Sequence, residues 1–409
     1  MGWIFLIFFL LFVEIYAFQA FYTLFKFNLF SKIYLTVNLA VYGFLFYRVF
    51  DIYLNESSFS DFFYDYLSIP FALFFILFSF KLILCFNLIV EDFLRSIKYI
   101  FDFFFKSSDH LSFNNRRSFL SKLAILIASI PIPFAIHGIF KGRYNFKVFN
   151  YELEFANLPD EFDGYQLTHI SDIHAGSLVN KDKIEYAIEL INKQGSNLLL
   201  FTGDFVNNKA EELIKWKKIF SKIKAKDGKY SILGNHDYGD YVSWKTKKEK
   251  KDNFKKLLNI QKEMGFKVLL NENIKIIKMN SHISLIGFEN WGKGRFRKSA
   301  DINKASKGLK TNDFKIVMTH DPSHWDYKLT KHETHFDLTL SGHTHGMQFG
   351  IEIPGLFKWS PVKWVYKQWA GLYFENNQYL NVNRGFGVLA FPGRVGIWPE
   401  ISVIKLKKA

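Results

Sequence analysis

Carboxylates, imidazoles and one carboxamide recur in short clusters downstream of residue 170: Asp172 with His174, Asp204 after a glycine, Asn235, His236 and Asp237 in GNHD, a lone His320, then His343 and His345 in GHTH. Carboxylate and imidazole donors without thiolate suit Mn, Fe, Zn or Co better than Ca or a structural zinc. The single cysteine, Cys85, lies in an apolar run far upstream, which excludes both an intramolecular disulfide and a cysteine-built zinc site. The donors are too many for one small divalent ion and about right for two that share a carboxylate.

Separated donors need a scaffold that gathers them. YQLTHI at 165–170 has the pattern of a strand and ends in SDIHAG, LLLF at 198–201 is a short buried strand ending in TGD, and KYSIL leads into GNHD. Between the first two, Ile184, Ala187, Ile188 and Ile191 recur at helical spacing, with Asn180 as N-cap and Gly195 as stop signal. A second helix is predicted over about 210–225, with Leu213, Trp216, Phe220 and Ile223 on one face. Strand, loop and helix repeat every 30 residues or so, the size of a βαβ unit. Right-handed crossovers then place successive strand ends on one edge of a parallel sheet, so Asp172, Asp204 and Asn235 meet. HISLIGF at 282–288, FKIVMTH at 314–320 and FDLTL at 336–340 repeat the device with less helix, and QYLNVN and ISVIKL suggest a second sheet packed on the first. The lysine-dense segment 244–262 is expected to be a solvated helix face.

The N-terminal part is different in kind. A chain of 409 residues with 48 phenylalanines and a net charge of +15 joins two unlike halves, and the first 140 residues are almost all Phe, Leu, Ile and Tyr. About 20 apolar residues cross a bilayer as helix, and four such runs stand near 2–25, 33–54, 67–90 and 119–140. The third contains only Lys81 as a charge, and the fourth contains Pro131, Pro133 and His137, read as a kink that neighbouring helices satisfy. The loop after the second run carries Asp51, Glu56, Asp61 and Asp65 and no basic residue from Val49 to Tyr66, whereas Arg95, Lys98, Lys106, Arg116, Arg117 and Lys122 lie between the third and fourth runs. The short first loop adds Lys26 and Lys32. Basic loops stay inside, which predicts a multi-pass protein of the cytoplasmic (inner) membrane with its C-terminal domain outside. The string NNRRSFLSK at 114–122 is similar to a twin-arginine export signal. The excess positive charge then favours anionic lipid or a phosphate-bearing substrate, and no nucleic acid is expected.

In their order, D-x-H, GD, GNHD, a lone His and GHTH resemble the signature of calcineurin-like metallophosphoesterases, over about 150–409, and in particular of a membrane-anchored bacterial branch that also carries a terminal PEI, here Pro399, Glu400 and Ile401. Met347 stands where that branch carries a second glycine. The resemblance implies an α/β fold, a four-layer α-β-β-α sandwich at 144–409, preceded by about four transmembrane helices at 1–143. It implies that Asp172, His174 and His345 bind one metal, that Asn235, His320 and His343 bind the other, and that Asp204 bridges them. Two ions about 3.5–4 Å apart hold a hydroxide between them and clamp the phosphoryl oxygens. His236 would stabilise charge on phosphorus or protonate the leaving oxygen, and Asp237 would orient that imidazole. His169, His282, His324, His332 and His335 are left as structural or surface residues, with His324 the first exception to look for.

Motifs and apolar anchor together imply a metal-dependent phosphodiesterase acting on lipid-linked or cell-envelope material. The alternatives are a pyrophosphatase of lipid A synthesis acting on a nucleotide-linked acyl sugar (a UDP-diacylglucosamine type), which requires a cytoplasmic domain, and a non-catalytic sensor or scaffold. Two basic features stand near the motifs: the loop WGKGRFRK at 291–298, and Arg384 and Arg394 in glycine-rich turns. The segment LFKWSPVKWVYKQW at 356–369 interleaves Trp359, Trp364 and Trp369 with lysines, a pattern that suits either a bilayer surface or packing on the second sheet.

Overall fold

The computed structural model describes residues 2–54, 67–105, 113–353 and 355–409, in two compact units that part at residues 137 and 138. Glu56, Asp61, Asp65 and Lys106, on which the charge asymmetry partly rests, lie outside the described residues, as does the side chain of Arg116.

The first unit is built from α1 (Gly2–Phe25), α2 (Leu29–Leu54), α3 (Ser68–Phe105), α4 (Phe113–Ser129) and the start of α5 (Pro131–Phe140). Among the described residues, four segments are long and apolar enough to cross a membrane: Ile4–Phe25, Leu29–Leu54, Ser68–Phe104 and Arg117–Tyr144. Two features differ from expectation. The third helix continues about 15 residues past the apolar run, because Glu91 to Phe105 contains no glycine or proline to stop it. The fourth segment breaks outright at Ile130, since Pro131 removes a backbone donor and drives the preceding residue out of helical geometry.

Lys81, the one charge of the third apolar run, is fully buried in this unit. Its ammonium pairs with Glu14 of α1 and donates to the Tyr42 hydroxyl of α2 at 2.8 Å. Removing one partner of a buried pair costs about 3–5 kcal/mol, because the other charge is left uncompensated. Lys81→Leu is therefore expected to lower the unfolding midpoint of the full chain in detergent, and Glu14→Leu added to it should restore part of the loss. Equal midpoints for the native and Lys81→Leu proteins would show that the pair carries no stability.

In the second unit, six strands form a sheet in the order β1 (Lys147–Phe155), β14 (Glu400–Lys408), β2 (Gln166–Ile170), β3 (Leu198–Phe201), β4 (Lys229–Ser231), β5 (Phe266–Val268). Six more form a second sheet in the order β12 (Gly371–Glu375), β13 (Gln378–Val382), β9 (Leu338–Ser341), β8 (Lys315–Met318), β7 (Ser281–Gly287), β6 (Glu272–Lys278), and β10 (Ile351–Ile353) pairs with β11 (Phe357–Trp359) as a separate hairpin. The runs β2-β3-β4-β5 and β7-β8-β9 are parallel, as the βαβ spacing requires. Period-two alternation then sorts the core. Leu199 and Phe201 of β3 face Ile184, Ala187, Ile188 and Ile191 of α6 (Lys181–Lys193) and Leu257 and Ile260 of α7 (Lys247–Glu263). Leu198 and Leu200 face the other way and meet Ile283, Leu285, Ile316 and Met318 of the second sheet. That sheet's far side, with Ile286, Val317 and Val382, is covered by Trp325 and Ala305 from two short helices. Helix, sheet, sheet and helix are the four expected layers. Each buried aliphatic side chain is worth about 1.5–3 kcal/mol against exposure.

Local signals agree with the sequence pattern. The Asn180 side chain accepts from the Lys183 N–H at 3.0 Å as N-cap, Gly195 takes φ +63° just past α6, and the lysines of α7 face outward while Leu257 and Ile260 face in. The expected helix over 210–225 is instead a 3₁₀ stretch, Ala210–Trp216, followed by a single α turn, although Leu213, Trp216, Phe220 and Ile223 are all buried. The Glu212 carboxylate accepts from the backbone N–H groups of Gly176, Asn207, Asn208 and Lys209 and tightens the entry to that segment. The two late strands also part company. QYLNV becomes β13 of the second sheet, but ISVIKL lies within β14, between β1 and β2 of the first, where most of its residues are buried.

Candidate metal centre

The donor clusters follow the C-terminal ends of β2, β3 and β4 in one sheet and β8 and β9 in the other, so they converge where these two edges meet. Asp172, His174, Asp204, His343 and His345 all adopt left-handed backbone, with φ between +47° and +71°. Such a conformation costs a non-glycine residue about 1–3 kcal/mol and persists only where its surroundings enforce it. Here the enforcing contacts are visible. The Asp172 carboxylate accepts from the His343 N–H at 2.9 Å, and Asp237 accepts from the N–H groups of Gly234, Asp204 and Phe205 at 2.8–2.9 Å. The motif glycines serve this crowding: a Cβ on Gly234 would overlap the Asp204 carboxylate, and one on Gly342 would overlap Asp172. Met347 also takes φ +53°, which is why a glycine suits that position, and its side chain points outward, half exposed.

The donor atoms of Asp172, His174 and His345 all lie within 4.8 Å of one another, and so do those of Asp204, His320 and His343. His174 Nε2 is 3.0 Å from His345 Nε2, and His345 Nε2 is 3.3 Å from Asp172 Oδ1. His320 Nε2 is 3.1 Å from Asn235 Oδ1 and 3.2 Å from His343 Nδ1. Asp204 Oδ2 touches both groups, at 3.6 Å from His174 Nε2 and 3.1 Å from His320 Nε2. Imidazole nitrogens that face one another at this range repel unless a proton or metal ion sits between them, so this donor set fits divalent cations. The Asn235 oxygen is the atom turned inward, because its amide nitrogen donates to the Tyr241 hydroxyl at 2.9 Å.

Charge follows the same geometry. Burial alone would push the Asp172 and Asp204 carboxyls up, but neighbouring imidazoles, chiefly His345 for the first and His320 for the second, hold both well below the usual range. Burial opposes protonation of His320, yet Asp204 overrides it and pushes the imidazole up to about 10, while burial drives His174 and His343 down. Carboxylates held ionised around a protonated imidazole form a site that exchanges protons for metal cations.

A further ring of contacts orients the donors. His320 Nδ1 donates to the Thr202 carbonyl at 2.7 Å, leaving Nε2 free for the centre. His343 Nε2 lies 2.9 Å from the Tyr366 hydroxyl, which donates to Asp321 at 3.2 Å, so Nδ1 is the inward atom. Arg394 is fully buried and lowered to about 9 by that burial; it donates to the Gly385 and Gly387 carbonyls and meets His345 Nδ1 at 3.2 Å. It therefore touches the centre, whereas Arg384 is tied to Glu400 and Glu352 and does not. In the 291–298 loop, Phe296 stands edge-on to His343 at 4.8 Å and Arg297 turns away to Asp240.

One expected contact is absent. The Asp237 carboxylate does not meet the His236 ring; its oxygens are taken by the backbone N–H groups of the Asp204 loop and Gly234, because the GNHD turn points that carboxylate back under its own backbone. His236 Nδ1 instead donates to the Asn207 carbonyl at 2.6 Å, and its ring stands edge-on to His174, 5.0 Å between centroids. Asn207, Tyr366 and Asp321 thus support the site, and only their positions in folded loops reveal it. The histidines set aside stay outside the two donor groups: His169 is hydrogen-bonded to Asn381 and Thr202, and His324 bonds Thr319, is pushed down to about 3 by burial and stacks on Trp291.

Both units of the chain match known proteins. Residues 1–143 match the family described as probable calcineurin-like phosphoesterase, transmembrane domain, and residues 165–347 match calcineurin-like phosphoesterase. A Danio rerio "Transmembrane protein with metallophosphoesterase domain" is 26% identical over 297 residues, 70% of this chain and 62% of that protein, so the chain spans less than two thirds of that relative's length. Bacillus subtilis "Uncharacterized metallophosphoesterase YkuE" is 28% identical over 253 residues, 61% of this chain and 82% of that protein. Campylobacter jejuni "Uncharacterized metallophosphoesterase Cj0846" is 25% identical over 390 residues, 94% of this chain and 91% of that one. The chain thus joins an N-terminal calcineurin-like phosphoesterase transmembrane domain to a calcineurin-like metallophosphoesterase domain, the domain type of metal-dependent phosphoester hydrolases.

Proposed function

We propose that residues 144–409 hydrolyse phosphodiester or related phosphate bonds of lipid-linked or cell-envelope material at a centre of two divalent ions, Mn, Fe or Zn. The observation that carries this is the position of Asp204 Oδ2 between the two donor groups. Asp172, His174 and His345 hold one ion, Asn235, His320 and His343 hold the other, and Asp204 serves both. Ions bound there supply Lewis acidity to phosphoryl oxygens and lower the pKa of water. His236 has Nδ1–H fixed on the Asn207 carbonyl and Nε2 free, so that the ring in its imidazolium form would give the Nε2 proton to the leaving oxygen and be left neutral. Asp237 is a positioning residue that holds the Asp204 loop against Gly234, and Arg394 holds His345. Every member of the donor set is present, which favours hydrolysis over a scaffold that has lost it.

An anchor restricts the enzyme to material at the bilayer, hence a lipid-linked or envelope substrate. On this reading the domain lies outside the cytoplasmic membrane, which the basic residues of the first loop and of the stretch between the third and fourth spans support. Purified full-length protein with Mn²⁺, screened on phosphomonoesters, phosphodiesters and lipid phosphates, is expected to turn over phosphodiesters with the highest kcat/KM; activity confined to monoesters would refute the substrate class. Alkaline phosphatase fused after Ala409 requires disulfides that form outside the cytoplasm and should be active. A well-expressed but inactive fusion would place the domain in the cytoplasm and make the nucleotide-linked acyl-sugar pyrophosphatase the leading alternative.

A further inference from the structure

The β10–β11 hairpin is built inside out. Its register puts Ile351 opposite Trp359 and Ile353 opposite Phe357 on one face, and Glu352 opposite Lys358 on the other. The charged face is the one that bonds to the domain: Glu352 accepts from buried Arg384 at 2.9 Å, and the ammonium of Lys358, whose side chain is itself exposed, donates to the Ala370 carbonyl and stands over the Trp369 and Tyr373 rings. The apolar face is turned outward, with Ile351, Ile353 and Phe357 all exposed and Leu356 at the turn 80% exposed. Trp359 carries this surface onward by an edge-on contact at 5.8 Å to Trp364, which is 72% exposed, and Val365 beside it is exposed too. The three tryptophans of this stretch therefore divide: Trp369 packs with Val362, Tyr366 and Ile397, while Trp364 faces out. A surface meant for water puts its charges out and its aliphatic chains in, so a contiguous apolar patch of this kind marks a site that something covers.

We propose that the bilayer covers it: the hairpin and the Trp364 turn rest in the headgroup region of an anionic leaflet. The four apolar spans keep a membrane within reach of this domain at all times. Exposed Lys363 flanks the patch with Lys367, which is also exposed and pairs loosely with Glu375 at 3.4 Å; these cations complement lipid phosphates, and tryptophan beside lysine is the side-chain chemistry of membrane interfaces. Next to the patch opens a cavity of about 450 Å³ whose wall carries Lys293, Lys363 and Lys367 against a single carboxylate, Asp326, together with Trp364 and Tyr366, and the Tyr366 hydroxyl reaches His343. The docked surface would thus set a cationic cavity at lipid level, beside the metal donors. Delivery of a lipid-borne phosphate through that cavity rests on the substrate class proposed above; the docking does not.

Full-length protein carrying Phe357→Cys, labelled with an environment-sensitive fluorophore, tests this in nanodiscs of phosphatidylcholine and phosphatidylglycerol with one copy per disc. Leu356→Cys serves if the first variant folds poorly, and Lys255→Cys on the exposed face of α7 is the comparison. Cys85 is buried, so the unsubstituted chain sets the labelling background. The expected result is loss of fluorescence to doxyl-labelled lipid and protection from iodide at 357, with the reverse at 255. Quenching of 357 by iodide but not by lipid overturns the docking, and so does shielding from both, which would mean that protein covers the patch. Lipid quenching at 357 in a chain that hydrolyses no lipid phosphodiester would uphold the docking and refute the lipid-linked substrate.

Discussion

Asp204→Ala is expected to reduce phosphoester hydrolysis to background and to leave the purified protein with fewer than two bound ions. The expectation rests on the carboxylate oxygen that stands closest to both donor groups, 3.1 Å from His320 and 3.6 Å from His174, where Asp172 Oδ1 comes no nearer to His320 than 4.0 Å. The remaining donors divide into a set around Asp172 and a set around His320, and Asp172, whose Oδ1 reaches His320 Nε2 at 4.0 Å, already serves the first. The other Asp204 oxygen accepts from the His236 N–H at 2.9 Å, so alanine also loosens the GNHD turn. Asp204→Asn keeps an acceptor for that N–H and removes only the charge, and it should lose metal as well. Two ions per chain in purified Asp204→Ala, by elemental analysis, would refute the bridging role.

The second large effect is kinetic. His236→Ala should retain its metal and lower kcat by about 10²–10⁴, the usual worth of a general acid. Metal is retained because the His236 ring belongs to neither donor group, and its Nδ1 is committed to the Asn207 carbonyl. The loss should be greatest for alkyl leaving groups, which need a proton, and small for p-nitrophenolate, which leaves without one. Near-native turnover of an alkyl phosphodiester by the alanine variant would remove His236 from the proton transfer.

How far the sequence reveals this site depends on which signal carries each part. The gathering of Asp172, Asp204 and Asn235 is legible because strand ends at βαβ spacing have only one edge to share, and β2, β3 and β4 pair in parallel as that requires. His320, His343 and His345 are legible by motif order, although they come from the second sheet and not from a continuation of the first. The role of Asp237 is not legible, because adjacency in sequence to His236 says nothing about where a turn aims its carboxylate. That carboxylate serves four backbone donors from its own turn and the neighbouring loop. Tyr366, Asp321 and Asn207 carry no periodic or motif signal at all; they sit in loops whose paths are set by tertiary packing. The left-handed φ values of five donors are likewise invisible in residue type, since Asp and His do not announce them as glycine would. In the first unit, hydropathy locates every apolar run, but the helix ends follow Pro131 and the absence of breakers after Val90.

The central claim is that hydrolysis depends on two ions held by this donor set. Its most direct test is to strip the full-length protein of metal, add Mn²⁺ in steps, and follow bound ions per chain alongside hydrolysis of bis(p-nitrophenyl) phosphate. Turnover should be absent without metal and maximal at two ions per chain. Full activity in the metal-free protein, or saturation with a single ion bound, would contradict it.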